Sequence, residues 1–161
     1  MKAKTFLLTN IIAITSFVLL IILDLLEVFL FSARLSSPFF AILFIAGFSV
    51  IVYMNCVRNV SLCKVILYNK REIIINPVHT RNLTVLFAVV IIFLGYGLIR
   101  SYEGFRFSFY SHNPFRIASY FLQVITVLTG IYIVFQQSTF SKQAASILEK
   151  EINNSIEELG A

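Results

Sequence analysis

Charge is scarce in this sequence: Lys, Arg, Asp and Glu together make up 13% of 161 residues. A soluble domain carries about a quarter of its residues charged. A chain so poor in charge, with 58% hydrophobic residues, is built for an apolar solvent. Histidine occurs only twice, as His79 and His112, and neither lies inside an apolar run. This excludes a haem held between intramembrane histidines. The two rings fall on opposite sides of the membrane, with no acid or thiol cluster to complete a zinc site. Cysteine also occurs only twice, as Cys56 and Cys63. On a helix these two share a face two turns apart, beyond disulfide reach, and read as small buried hydrophobes. Quinone-linked thiol oxidation needs paired reactive cysteines and is disfavoured. The chain has no Gly-rich phosphate loop, no Ser-His-Asp arrangement, no internal repeat and no low-complexity linker. Nothing in it points to an enzyme or to a bound cofactor.

What the sequence does contain is four apolar runs, at residues 6–31, 38–56, 83–99 and 117–135. Each is near the ~20 residues that cross a hydrocarbon core as a helix. The first run is too long and too acidic for a cleaved signal peptide, and no A-x-A site follows it. Four spans put both termini on one side. Lys2, Lys4, Arg58, Lys64, Lys70, Arg71, Arg81, Lys142 and Lys150 belong to that side, against Arg34, Arg100, Arg106 and Arg116 on the other. The excess of basic residues places both termini and the middle loop in the cytoplasm. The net charge of +5 is thus a matter of topology and lipid headgroups, and nucleic acid is not an expected partner.

The segments between the runs carry their own signals. Val60, Cys63 and Leu67 recur at helical spacing, so helix 2 should continue below the membrane and stop near Asn69. Residues 72–75 read as a short extended stretch, and Asn76-Pro77 as a helix start. In segment 101–116, Phe105, Phe107 and Phe109 alternate with Arg106, Ser108 and Tyr110, a strand-like period of two closed by a turn at His112-Asn113-Pro114. Residues 136–159 read as a tail helix continuous with helix 4. Its apolar stripe comprises Phe140, Ala144, Ile147, Leu148, Ile152, Ile156 and Leu159. The tail is acidic and the middle loop basic, so the stripe is expected to pack on residues 57–81, with self-association as the rival.

Two groups of residues are candidates for function. Asp24 and Glu27 share a face near the outer end of helix 1, where Arg34, Arg100 and Arg116 also lie. A carboxylate facing lipid costs a few kcal/mol, so both acids are expected inside the bundle or at its water-facing end. They form either a structural ion cluster or a cation or proton site. The second group is the tail stripe, with Phe140, Ile147, Leu148, Ile152 and Ile156 as a surface for a protein partner or a second copy. Gly95-Tyr96-Gly97 has the letters of part of a potassium-channel filter, but it lies inside an ordinary apolar run and reads as close helix packing.

The order of parts resembles a bacterial family of small four-helix membrane proteins of unknown function, often encoded beside helix-turn-helix regulators. The shared parts are the acidic end of helix 1, the extension after helix 2, the start Ile74-Ile75-Asn76-Pro77-Val78-His79-Thr80-Arg81-Asn82-Leu83, and the tail Ser146-Ile147-Leu148-Glu149-Lys150-Glu151-Ile152. This resemblance implies a fold and not an activity. The expectation is therefore an all-α, four-helix transmembrane bundle with cytoplasmic helical extensions and an amphipathic C-terminal tail helix. Its core should draw on Phe39, Phe40, Phe44 and Phe48. It would serve as a non-enzymatic regulatory or accessory subunit, or alternatively as a small-solute or cation transporter using Asp24 and Glu27.

Overall fold

The computed structural model describes residues 2–31, 38–68, 77–110 and 114–160. Side chains are described throughout these helices except at 27–31, 38–44, 77–80, 104, 107–110, 151 and 155–160. All four segments are helical: α1 (Lys2–Phe31), α2 (Pro38–Tyr68), α3 (Pro77–Tyr110) and α4 (Pro114–Gly160). The three prolines of the chain each open a helix. At the first helical position the missing N–H is no loss, and the fixed φ suits the helix.

The helices run up, down, up and down. Phe6 near the start of α1 stacks on Phe140 in the second half of α4, with ring centroids 4.4 Å apart. At the other end of α1, Asp24 meets Ser119 at the start of α4. Cys63 near the end of α2 returns to Ala3, and Phe48 near its start lies against Phe93 of α3. Among the described residues the backbones of α1 and α3 do not approach each other closely; they occupy opposite corners, while α2 and α4 meet across the shorter diagonal.

One spacing places the inward side chains. On α4 they are Ser119, Gln123, Thr126, Gly130, Ile133, Gln137, Phe140, Ala144 and Ile147, at alternating steps of four and three. On α1 the series is Ala3, Phe6, Asn10, Ala13, Phe17 and Leu20, and on α2 it is Phe48, Val52, Asn55, Asn59, Leu62 and Ile66. Leu83, Phe87, Val90 and Leu94 continue the pattern on α3. This 3.5-residue repeat keeps one seam of each helix turned to its neighbours along the whole length.

The seam carries buried polar residues, and much of the outside is apolar. Asn10, Ser16, Asn55, Asn59, Thr126 and Gln137 are buried, whereas Leu8, Ile11, Val18, Ile22 and Leu25 of α1 stand exposed, as do Ile92 (69%) and Ile99 (74%) of α3. In water, such broad apolar faces would drive aggregation; against lipid they are the expected surface. All four helices are long and apolar enough to cross a membrane. The chain is a multi-pass membrane protein with an all-α, four-helix bundle fold.

Several sequence expectations change here. Residues 101–110 are helical, a continuation of α3, and not strand-like. The period-two pattern is overridden because Phe105 stacks on Tyr120 of α4 at 4.2 Å, which holds this end of α3 in helical register. The core rests on Phe6, Phe17, Phe87 and Phe140. Of the phenylalanines expected there, Phe48 packs at its edge, and the side chains of Phe39, Phe40 and Phe44 lie outside those described. Residues 72–75, 111–113 and Arg34 also lie outside the described residues.

Candidate functional site

The corner left open between α1 and α3 becomes a cleft at the end of the bundle where α1 finishes. Its volume is about 440 Å³, within the range of small-molecule sites. From α1 come Leu20 and Asp24, one turn apart on the inward seam. From α3 come Leu94, Gly97 and Ser101, again on the seam, with Arg100 and Phe105 beside them. From α4, which forms the back wall, come Arg116, Ser119, Tyr120 and Gln123. Leu20 and Leu94 make the floor apolar, and the polar groups lie above it.

Two hydrogen bonds fix the walls. Ser119 Oγ donates to Asp24 Oδ1 at 2.9 Å, tying α4 to the carboxylate of α1. Gln123 Nε2 donates to the Leu94 carbonyl at 2.9 Å. That second contact depends on Gly97, where a Cβ would come within 3.1 Å of the same nitrogen. Phe105 completes the rim, stacked on Tyr120 and edge-on to Phe121 at 5.9 Å. Among the described lining residues two guanidiniums face one carboxylate, and no histidine or cysteine joins them. The arrangement can bind and discriminate by charge.

Below the floor the helices pack through buried side chains. Ser16 and Thr126 share a hydrogen bond of 2.9 Å between α1 and α4. Phe17 packs beside them, and Ile91 and Ile133 continue the core below. Lower still, three helices meet in a layer of four buried amides. Asn59 Nδ2 donates to Asn10 Oδ1 and Gln137 Nε2 to Asn55 Oδ1, both at 2.9 Å. Asn10 Nδ2 donates to the Phe6 carbonyl at 2.8 Å. Three polar atoms in this layer, Asn55 Nδ2, Asn59 Oδ1 and Gln137 Oε1, take no hydrogen bond from the described protein. The thiols of Cys56 and Cys63 pack beside it, pointing at the carbonyls of Asn10 (3.8 Å) and Ala3 (3.7 Å). They are free and buried.

Of the residues singled out from sequence, Asp24, Arg100 and Arg116 come together in the cleft. The side chain of Glu27, and Arg34 altogether, lie outside what is described. The tail stripe meets a different fate from that of an open partner surface. Phe140 is buried against Phe6, and Ile147 and Leu148 pack with Ala144 onto Leu62 and Val65 of α2. The seam of α4 simply runs on past the membrane and finds the extension of α2. Among the described residues of the stripe, Ile152, 60% exposed, faces outward; the side chains of Ile156 and Leu159 are not described. Sequence reasoning missed Ser119, Gln123 and the four amides. Their signal was polar residues stepping by three or four through apolar runs, at 119, 123 and 126 and at 55 and 59.

Among the described residues no group of His, Cys, Asp or Glu side chains could hold a metal ion. No family model, curated protein or solved structure matches the chain.

Proposed function

We propose that this protein works by binding, as a non-enzymatic regulatory or accessory subunit of a membrane assembly, with the cleft of Asp24, Arg100 and Arg116 as its recognition site. The observation that carries this reading is convergence. Charged residues from three helices line one open cavity, while the interior beneath it is packed. A transporter built on the helix 1 carboxylates draws less support, because the cleft lies at one end of the bundle and the Ser16–Thr126 hydrogen bond and buried core side chains lie beneath it. The basic bias of the terminal side supports cytoplasmic termini with the cleft on the opposite face, and the family resemblance drawn from the sequence points to a bacterial cytoplasmic membrane.

The reading is tested by affinity capture of the tagged full-length protein from native membranes in mild detergent. Wild type is compared with an Arg100→Gln/Arg116→Gln double variant that inserts normally. Loss of a stoichiometric partner from the double variant supports recognition at the cleft. An unchanged set of partners rejects it. Transport is tested separately: solute flux in proteoliposomes that disappears in Asp24→Asn would replace this reading with the transporter.

A further inference from the structure

We propose that the cleft is a headgroup site that takes a zwitterion joining a phosphate to a primary ammonium, as in phosphoethanolamine; this rests on the cleft being the recognition site. The charges argue for both signs at once. Arg100 and Arg116 reach the same cavity from α3 and α4, and two guanidinium forks suit phosphate oxygens. Asp24 enters from α1, held in place by Ser119. A simple anion meets this carboxylate, and a simple cation meets the two guanidiniums. A ligand carrying both charges presents each wall with the opposite charge.

The remaining surfaces fit the ammonium and the depth. The stacked rings of Phe105 and Tyr120 line the same cavity, and an aromatic face attracts an ammonium group. Tyr96 and Tyr102 stand exposed on α3 near the level of the cleft, and Phe121 on α4. Tyrosines mixed with apolar side chains mark the membrane–water boundary, which is where phospholipid headgroups lie. Leu25 and Leu26 of α1 and Ile99 of α3 are exposed near the cleft, giving acyl chains an apolar wall to run along. A volume of about 440 Å³ accommodates the headgroup with its phosphate.

The test uses purified full-length protein in detergent micelles. It is offered equal amounts of phosphatidylethanolamine, phosphatidylglycerol and phosphatidylcholine, with retained lipid read by native mass spectrometry. Wild type is expected to retain phosphatidylethanolamine over the other two. Asp24→Asn should lower its advantage over phosphatidylglycerol about tenfold, the scale of one hydrogen bond to a charged group. Arg100→Gln/Arg116→Gln should lose about tenfold or more in retention of every phospholipid, and Arg100→Lys/Arg116→Lys should fall between, keeping charge without the fork. Thermal unfolding of each variant separates lost binding from lost fold. Glycerophosphoethanolamine added as a soluble competitor distinguishes the source: displacement of the lipid assigns a free ligand, and failure to displace assigns the lipid. Equal retention of the three lipids by wild type, or an Asp24→Asn variant with unchanged preference, overturns the proposal. If either result accompanies a partner that the double arginine variant cannot capture, recognition at the cleft stands and only the headgroup assignment falls.

Discussion

The two ends of this bundle are built from the same seam spacing and come out opposite in character. At the terminal end, Phe6 and Phe140 stack, four amides interlock, and α2 and α4 run on together past them. Most described inward side chains there are buried. At the other end the seam positions of α4 are Ser119 and Gln123, and α3 offers Gly97 and Ser101. Small and polar side chains leave the diagonal between α1 and α3 unfilled, and the cavity collects the charged groups. The difference teaches that the repeat sets only where side chains point. Their volumes decide whether an end is sealed or open.

The contrast can be broken by substitution, and the largest effect belongs to the sealed end. Phe140→Ala removes a buried ring from its stack and should cost about 3–5 kcal/mol, read by reversible unfolding in mixed micelles. A loss no greater than that of a surface variant would mean the stack is incidental. Between the ends, Gly130 touches Ile91 so closely that a Cβ there would collide with the isoleucine side chain. Gly130→Val should cost about 1–3 kcal/mol by overpacking, and an Ile91→Ala background should relieve most of it. If the double variant is no better than Gly130→Val alone, the close approach is not the cause.

Smaller effects sharpen the comparison. Gln137→Leu deprives Asn55 of its buried partner and should cost about 1–2 kcal/mol, near the upper range for interhelical hydrogen bonds in membranes. Asp24→Asn, at the open end, should change stability by less than about 0.5 kcal/mol, because exposed substitutions usually do. A cost for Asp24→Asn equal to that of Gln137→Leu would erase the distinction between a structural layer and a binding cleft. Ile152→Asp should have the smallest effect of all, leaving both unfolding and partner capture unchanged, since the stripe before it is already occupied by α2. Lost capture in that variant would return the tail to the role of a contact surface.

Much of this was legible in the sequence, and the reasons are specific. The helices follow from run length, and the start of α3 from Asn76-Pro77; Pro114, read as closing a turn, opens α4 instead, because proline suits a turn and a first helical position alike. The gathering of Asp24, Arg100 and Arg116 followed from topology, since charges at one end of antiparallel spans have few places to go. The inward seam was hidden, because residues such as Ile22 outside and Ile133 inside are equally apolar and give no contrast. Only the polar steps at Asn10, Asn55, Asn59 and Gln137 betray it. The alternation of Phe105 and Arg106 misled because a local period of two says nothing about Tyr120, which lies on another helix and decides the outcome.

The length of α4 has a mechanical consequence. Its 47 residues form one unbroken helix, roughly 70 Å from end to end, of which the bilayer core encloses less than half. The same helix carries Ser119 and Gln123 at one end and Ala144 and Ile147 at the other. A helix bends little, so it behaves as a lever. A tilt of about 5° about the middle of such a rod moves each tip by roughly 3 Å, a shift comparable to those by which packed helices slide in switching proteins. Whatever settles between α1 and α3 therefore leans on a beam whose far end lies across the membrane, against α2.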